Sequence, residues 1–272
     1  MKRKLPVELG NVQKTLLLPL WGRAIESRKD SPFLIDKKAM EIVEKLEYDF
    51  DGMGKDLHEL TKAAWVIRCL QADAVIWKFI GKYPSSSIVN IGCGLDTTFS
   101  RIDNGQILWY DLDLPDVIEL RQKLIPNGDR QKALPFSLFD YDKWLYEIKR
   151  NNNVFLLSLG VLYYFDEDRV KEFFQKMAVT FPGAEMFFDV SSPFGVKVAN
   201  KLVIKNSGMD ESSFLKWGCK DARIIASWHD RIEIVKVYPF FVGRKYPIKS
   251  TFKAFLSDAL RVQYLCHARF KN

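Results

Sequence analysis

The residues with the clearest chemical meaning lie in the stretch SIVNIGCGLDTTFSRID, where Gly92 and Gly94 follow an apolar run. A buried strand that ends in a Gly-x-Gly turn lets the backbone approach a ligand closely, because a side chain at either glycine would occupy the ligand's space. Nineteen residues after Gly94, Asp113 closes the next apolar run, ILWYDLD. A carboxylate there is suited to accept hydrogen bonds from two ribose hydroxyls, and Asp111, on the same strand face, is the alternative.

The same turn indicates which ligand to expect. A dinucleotide site would carry a third glycine three residues after Gly94, but that position holds Thr97. A ligand without a pyrophosphate does not need a helix N-terminus packed so tightly for phosphate binding, and S-adenosylmethionine is such a ligand. We therefore predict S-adenosylmethionine rather than NAD; a tight strand-to-helix turn without a ligand is the alternative.

Other chemistries have little support in the sequence. The four cysteines are widely spaced and only three histidines accompany them, so we predict neither a metal site nor a disulfide framework, and we expect a reducing cytoplasm. There is no Ser-His-Asp grouping and no phosphate loop. If the reaction needs a general base, His229 and Tyr163 are weak candidates, and a capping or core role is the alternative for His229.

The net charge of +7 raises the question of a nucleic-acid partner. The basic runs MKRK and GRKYPIK are short and isolated, and no recognition motif accompanies them, so we expect a solvated basic surface and no nucleic-acid partner. No apolar run reaches the length of a membrane span, and the N-terminal residues lack the features of a secretory signal. The sequence leaves open whether the protein forms a homo-oligomer.

The spacing of apolar residues predicts the elements that position this turn. Residues 1–84 read as a helical extension, and residues 85–272 as a core in which short apolar strands alternate with helices. Such alternation predicts an α/β fold with a doubly wound, mostly parallel sheet. The predicted helices are 12–29, 36–47, 57–82, 115–125, 141–150, 166–180, 194–206, 211–227 and 249–260, and the predicted strands are 87–91, 107–111, 133–138, 153–159, 184–190, 231–241 and 261–270.

Several stretches together carry a family resemblance. They are LPLWGRAIESRKDSPFLIDKKAMEIVEKLEYDF, VIRCLQADAVIWKFI, VNIGCGLDTTFSRID and WYDLDLPDVIELRQKL, with FLKWG and SWHDRIEIV later in the chain. The sequence resembles the leucine carboxyl methyltransferase family, in particular its branch of polyketide-biosynthesis O-methyltransferases. The resemblance implies a fold of the class I methyltransferase type, a helical N-terminal extension that closes over the site, and S-adenosylmethionine as methyl donor.

Residue roles follow from the resemblance. It places Arg68 at the methionine carboxylate, the turn from Gly92 to Gly94 beside the cofactor, and Asp113 at the ribose. It also implies that Asp140 contacts the adenine, with Phe139 beside the ring. A surface arginine is the alternative for Arg68, and a helix N-cap is the alternative for Asp140.

One position departs from the family pattern. Where members often have Glu after the fourth strand, LLSLGVLYYF has Leu159, which leaves backbone carbonyls to meet the methionine amine. Arg23 and Arg28 are candidates for binding an anionic substrate or cofactor, with a solvated helix face as the alternative.

These observations lead to one functional hypothesis. The chain is expected to be an S-adenosylmethionine-dependent O-methyltransferase of a small molecule, with a carboxylate slightly favoured over a phenol or hydroxyl as acceptor. The alternatives are a non-catalytic binding or scaffolding protein and a methyltransferase of protein C-terminal carboxylates.

Overall fold

In a computed structural model of the chain, residues 4–150, 153–243 and 245–272 are described. The first three residues of MKRK and Arg244 of GRKYPIK therefore lie outside the described residues.

A seven-stranded sheet forms the centre of the protein. Its strands are β1 (Ser87–Ile91), β2 (Leu108–Asp113), β3 (Gln131–Pro135), β4 (Val154–Ser158), β5 (Glu185–Val190), β6 (Ile232–Pro239) and β7 (Tyr264–Phe270). Their spatial order is β3-β2-β1-β4-β5-β7-β6. Strands β1 to β5 pair in parallel, whereas β7 runs antiparallel to both of its neighbours. The direction of winding reverses between β1 and β4, which is where an open α/β sheet binds its ligand.

Helices cover the sheet and extend beyond it. They are α1 (Asn11–Lys14), α2 (Leu17–Ser27), α3 (Lys37–Lys45), α4 (Phe50–Gly54), α5 (Glu59–Lys82), α6 (Thr98–Ile102), α7 (Pro115–Leu124), α8 (Tyr141–Trp144), α9 (Glu167–Thr180), α10 (Pro193–Ala199), α11 (Arg223–Ala226) and α12 (Thr251–Ala259). Within the described ranges, none of these helices combines the length and apolar character that a membrane span requires.

The core has a layer on each face of the sheet. Along β1, Ile88 belongs to the cluster that contains α5, and Val89 and Ile91 belong to the cluster that contains α9. Every residue of β1 is buried, as expected for a central parallel strand covered on both faces. The α/β, doubly wound, mostly parallel sheet predicted from the sequence is confirmed.

A third apolar cluster joins the N-terminal helices to the core. Helices α2, α3 and α4 pack together with Leu95, which follows β1, and with Val117, Leu120 and Leu124 of α7. This packing places the N-terminal helices at the carboxyl ends of β1 and β2. The division of the chain at residue 84 into an extension and a core stays a prediction.

Some predicted elements are wrong. The predicted helix 211–227 is helical only at Glu211–Ser213 and Arg223–Ala226. Between these turns the backbone bonds to other segments: the N–H groups of Lys216 and Trp217 donate to the Tyr163 carbonyl, and that of Cys219 donates to Ser191. These tertiary bonds replace the ones a helix would make.

Other element boundaries also differ from the prediction. The predicted helix 12–29 is divided into α1 and α2, the strand predicted at 133–138 is Gln131–Pro135, and the helix predicted at 141–150 ends as a 3-10 turn at Leu145–Glu147. Helices α4 and α6, and the pairing of Leu5–Pro6 with Leu46–Glu47, were not predicted.

Candidate functional site

A cavity of about 480 Å³ opens at the carboxyl ends of β1 to β4. Its floor comes from the segments that follow these strands, and its roof from α1 and α2. The floor residues include Gly92 to Asp96, Asp113, Leu114, Phe136 to Leu138, Leu159 to Val161 and Tyr163 to Phe165, and the roof residues include Val12, Gln13, Thr15, Leu16, Leu18, Pro19 and Arg23. The cavity therefore lies at the switch point of the sheet, where its topology predicts a ligand.

The turn after β1 has backbone angles of the kind that its two glycines predict. Gly92 has φ +66° and Gly94 has φ +47°, both in the left-handed region that favours glycine. A Cβ added at Gly92 would lie 2.3 Å from Cγ2 of Val161, so the turn also packs too closely for any side chain. At Gly94 an added Cβ would lie 3.2 Å from Cβ of Leu16, which brings the roof directly onto the turn.

Asp113 lies in the cavity and is tied to the turn. Its Oδ2 accepts a hydrogen bond of 2.7 Å from the backbone N–H of Gly94, and its Oδ1 accepts one of 2.8 Å from Leu114. Burial raises the pKa of the Asp113 carboxyl to about 6, although these bonds and Arg121 act in the opposite direction.

The alternative carboxylate, Asp111, is held elsewhere. Its side chain is fully buried and accepts hydrogen bonds from Trp109, Arg121 and Gln131, and it is not part of the cavity wall. Asp113 therefore remains as the carboxylate available to a ligand on this strand.

Arg68 reaches the same cavity from the middle of α5. Its Nη1 donates a 2.8 Å hydrogen bond to Oδ2 of Asp189, and Oδ1 of Asp189 accepts one of 2.7 Å from the backbone N–H of Gly160. Burial disfavours the charge on Arg68, but the neighbouring Asp189 outweighs this, so the pKa of Arg68 is raised. The buried carboxylate thus holds the arginine and the turn after β4 together. Leu159 precedes this turn and lines the cavity.

Four residues proposed from the sequence are not brought to the cavity. Phe139 packs against the core, edge-on to Phe165 and with the Arg169 guanidinium 3.9 Å from its ring centre, and Asp140 pairs with Lys143 at 3.1 Å. Asp140 occupies the N-cap position of α8, but its side chain caps no backbone N–H. Because the chain turns after β3, Phe136, Ser137 and Leu138 line the cavity instead.

Arg28 and His229 also lie elsewhere. Arg28 is exposed and pairs with Glu44 at 3.2 Å. Nδ1 of His229 accepts a hydrogen bond of 3.1 Å from the backbone N–H of Arg231, which leads into β6, and the residue does not line the cavity. Its position matches the capping alternative better than a role in proton transfer.

The cavity has a second region formed by tyrosines and a lysine. Tyr163 and Tyr164 follow β4, and Lys216 comes from the irregular segment after α10. The Tyr164 hydroxyl donates a 3.0 Å hydrogen bond to Oγ1 of Thr15 in the roof. Burial raises the pKa of Tyr164 to about 12 and that of Tyr163 well above its ordinary value. Both hydroxyls therefore stay protonated near neutral pH.

Sequence reasoning missed part of this site. Asp96 lies two residues after Gly94 and lines the cavity, so its proximity to the glycine turn was an available signal. Tyr164 is adjacent to the proposed Tyr163. Lys216 and the roof residues had no such signal, since tertiary packing alone brings them to the cavity.

Comparisons with known proteins agree with this geometry. The family model described as leucine carboxyl methyltransferase matches residues 17–178. The chain is 29% identical over 197 residues to the tetracenomycin polyketide synthesis O-methyltransferase TcmP of Streptomyces glaucescens, covering 71% of each chain. It is 26% identical over 179 residues to the S-adenosyl-L-methionine-dependent methyltransferase dpfgK of Gibberella zeae, covering 60% of this chain and 59% of that protein.

The fold is also similar to that of a solved structure. The crystal structure of a candidate methyltransferase of Thermobifida fusca has a TM-score of 0.62 at 16% identity, and the match covers 94% of this chain and 95% of that one. This likeness concerns the fold, and it agrees with the class I methyltransferase type expected from the sequence.

Proposed function

The chain belongs to the leucine carboxyl methyltransferase family, and we propose that it transfers a methyl group from S-adenosylmethionine to an oxygen atom of a small molecule. Dependence on S-adenosylmethionine and methyltransferase activity agree with the family and with both relatives. The chemical class of the acceptor has to be inferred from the residues that line the cavity.

The residues present fit this cofactor. Gly92 and Gly94 line the cavity with backbone alone, in a turn that has no room for a Cβ at Gly92, and Asp113 presents carboxylate oxygens beside it. Arg68, held by Asp189, supplies a cation for a carboxylate, and Leu114, Val117 and Leu138 supply apolar surface for an adenine ring. Asp113 would bind the ribose hydroxyls, and Arg68 would bind the methionine carboxylate.

The main task of the protein in this reaction is to position the methyl donor and the acceptor. When bound, S-adenosylmethionine supplies an electrophilic methyl group on a sulfonium, which an aligned nucleophile displaces. Arg68, Asp113 and the glycine turn orient the donor, while roof residues such as Thr15 and Leu16 exclude water. No proton needs to move if the acceptor oxygen is already ionised.

The tyrosine and lysine region favours such an acceptor. Tyr163 keeps its proton at neutral pH, so it suits hydrogen-bond donation to an anionic oxygen better than removal of a proton, whereas the Tyr164 hydroxyl already donates its hydrogen bond to Thr15. Lys216 adds a positive charge at the same region. From this arrangement we infer that the acceptor is a carboxylate rather than a phenol or alcohol.

The proposal is tested with a labelled methyl donor and a panel of small carboxylic acids and phenols, together with a peptide that ends in a free leucine carboxylate. We expect turnover of a small acid whose rate stays nearly flat from about pH 6 to 8, because a carboxylic acid is ionised throughout that range. A rate that rises steeply with pH would indicate a phenol, and cofactor binding without any turnover would favour the non-catalytic alternative.

A matched pair of variants separates the role of Lys216 from a general effect of surface charge. Lys216→Gln is expected to raise KM for the acid by up to about fivefold. The increase is small because the Lys216 side chain is about half exposed, and an ion pair formed by an exposed side chain contributes little free energy. Lys220→Gln, in the same segment but outside the cavity wall, is expected to leave KM unchanged. Equal KM values for the two variants would remove Lys216 from the acceptor site.

A further inference from the structure

Asp36 is the centre of a buried ionic network that the proposed reaction does not use. Its Oδ2 accepts hydrogen bonds from Nε of Arg23 at 3.0 Å, from Oγ1 of Thr97 at 2.5 Å and from Nη1 of Arg101 at 3.1 Å. Its Oδ1 accepts one of 2.9 Å from the backbone N–H of Ala39 and so caps α3. The Asp36 side chain is fully buried, and the charges of the two arginines keep its pKa lowered in spite of that burial.

Arg101 continues the network to the helix that carries Arg68. Its Nε and Nη2 donate to the two carboxylate oxygens of Asp73 on α5, at 2.7 and 3.0 Å, and Nη2 also donates to Thr98 at 2.9 Å. Two arginines and two aspartates therefore balance one another in an environment where an unpaired charge would be costly. The paired geometry of Arg101 and Asp73 is the bidentate form that fixes orientation as well as charge.

The network joins the roof of the cavity to its floor. Arg23 lies on α2, whose earlier residues Leu18 and Pro19 line the cavity, and its Nη2 donates a 2.8 Å hydrogen bond to the carbonyl of Leu95. Leu95 directly follows Gly94. Arg23 also lines the cavity, and its guanidinium donates to Asp36 and to the Leu95 carbonyl; the binding of an anionic substrate or cofactor by Arg23, expected from the sequence, stays a prediction.

We propose that Asp36 is a positioning residue that fastens the N-terminal roof to the cofactor-binding turn, and that this junction sets how slowly the bound cofactor is released. Asp36 does not line the cavity. It acts through Arg23, which holds Leu95, and through Thr97, which follows the cavity residue Asp96. A roof held in this way keeps Leu16 against Gly94 and closes the path by which the cofactor leaves.

The substitution Asp36→Asn is suited to test this role. Asparagine keeps an oxygen that can accept from Ala39, so the cap of α3 is retained. Its amide nitrogen is a donor, however, and would face the guanidinium groups of Arg23 and Arg101, which can only donate. The variant therefore removes the junction while preserving the shape of the side chain.

Asp49→Asn is a control for the loss of charge at a helix cap, at an exposed position. Asp49 caps α4 by accepting a 2.9 Å hydrogen bond from the backbone N–H of Gly52, the same length as the Asp36 cap of α3. It has no arginine partner among its recorded contacts and does not line the cavity. Loss of charge at a helix cap is thus common to both variants, and loss of the junction is specific to Asp36→Asn.

The experiment measures the dissociation rate of S-adenosylhomocysteine by stopped flow, at a temperature where circular dichroism shows each variant to be folded. We expect Asp36→Asn to release the ligand about tenfold faster than the parent, and Asp49→Asn to release it at the parental rate. In the ligand-free proteins, hydrogen exchange should speed up at residues 12–20 in Asp36→Asn and should stay unchanged in Asp49→Asn.

A milder variant keeps the test decisive if Asp36→Asn does not fold. Thr97→Val removes one of the three donors to Oδ2, together with the oxygen that accepts a 2.9 Å hydrogen bond from Nη1 of Arg101, in a shape close to that of threonine. Both arginines keep their contact with Asp36, so we expect a smaller acceleration in the same direction. Parental release rates in folded Asp36→Asn or Thr97→Val would overturn the positioning role and leave a purely structural one. Failure of the parent itself to bind the ligand would count against the proposed function instead.

Discussion

The raised pKa of Asp113 predicts that cofactor binding weakens as the pH falls. With a pKa of about 6, the free protein carries a protonated Asp113 below that pH and an ionised one above it. The ribose hydroxyls are hydrogen-bond donors, so binding favours the ionised carboxylate. A proton must therefore be released on binding whenever the pH lies below about 6, and the affinity falls accordingly.

The size of this effect follows from the pKa. At pH 5 about one molecule in ten of the free protein has the ionised carboxylate, so the dissociation constant for S-adenosylhomocysteine should be about tenfold higher than at pH 7 to 8. At pH 6 the increase should be about twofold. Calorimetry in buffers of differing ionisation enthalpy measures both the affinity and the proton released.

The stability of the ligand-free protein should change in the opposite direction. Because the folded pKa of Asp113 is raised above the ordinary value of 3.8, its contribution favours folding at low pH, and this advantage is lost as the pH rises from about 4 to 6. The shift corresponds to a loss of up to about 3 kcal/mol. Thermal or chemical unfolding between pH 4 and 7 measures it, after subtraction of the same curve for Asp113→Asn.

Asp113→Asn is also the control for binding. The variant should bind more weakly than the parent at pH 7, by about 1 to 3 kcal/mol, since a bond to a charged acceptor is lost. Its dissociation constant should no longer vary between pH 5 and 8. A parental dissociation constant that is flat over this range, or a variant that keeps the full pH dependence, would refute the role given to Asp113.

Two further predictions concern Arg68 and Asp140. Arg68→Met should lower the free energy of unfolding by about 3 to 5 kcal/mol, because it leaves Asp189 buried without its cation, and Asp189→Asn in the same chain should restore most of that loss. The double variant should bind S-adenosylhomocysteine about tenfold or more weakly but adenosine almost as well as the parent, and equal losses by calorimetry would argue against a carboxylate contact. Asp140→Ala should change the affinity for S-adenosylhomocysteine by less than about twofold, because the Asp140 carboxylate pairs with Lys143 outside the cavity wall. A larger loss of affinity would support a contact between Asp140 and the adenine.

Local patterns in the sequence were sufficient for the sheet and for much of the floor of the cavity. The apolar run that forms β1 is buried on both faces, which is the reason that it reads as a continuous apolar stretch. Gly92 and Gly94 were recognisable because only glycine readily takes the backbone angles of that turn. The position of Asp113 followed from its place at the end of the next strand.

The sequence was less informative where backbone bonds run between distant segments. Residues 214–222 have apolar spacing that resembles a helix, yet the N–H groups of Lys216, Trp217 and Cys219 donate to carbonyls of the distant residues Tyr163 and Ser191. Phe139 was predicted to face the ligand but packs against Arg169, which lies on α9. Neither outcome can be derived from local spacing, because the competing partners are remote in the chain.

The amino-acid sequence by itself therefore determined the α/β architecture, the glycine turn and the family to which the chain belongs. Tertiary structure decided what its charged residues do. Arg23 and Arg68 both lie on helices among apolar neighbours and both line the cavity, yet Arg68 is paired with Asp189 and Arg23 with Asp36 and the carbonyl of Leu95. The role of a buried charge depends on which opposite charge is folded against it, and that partner is set by packing between segments rather than by local sequence.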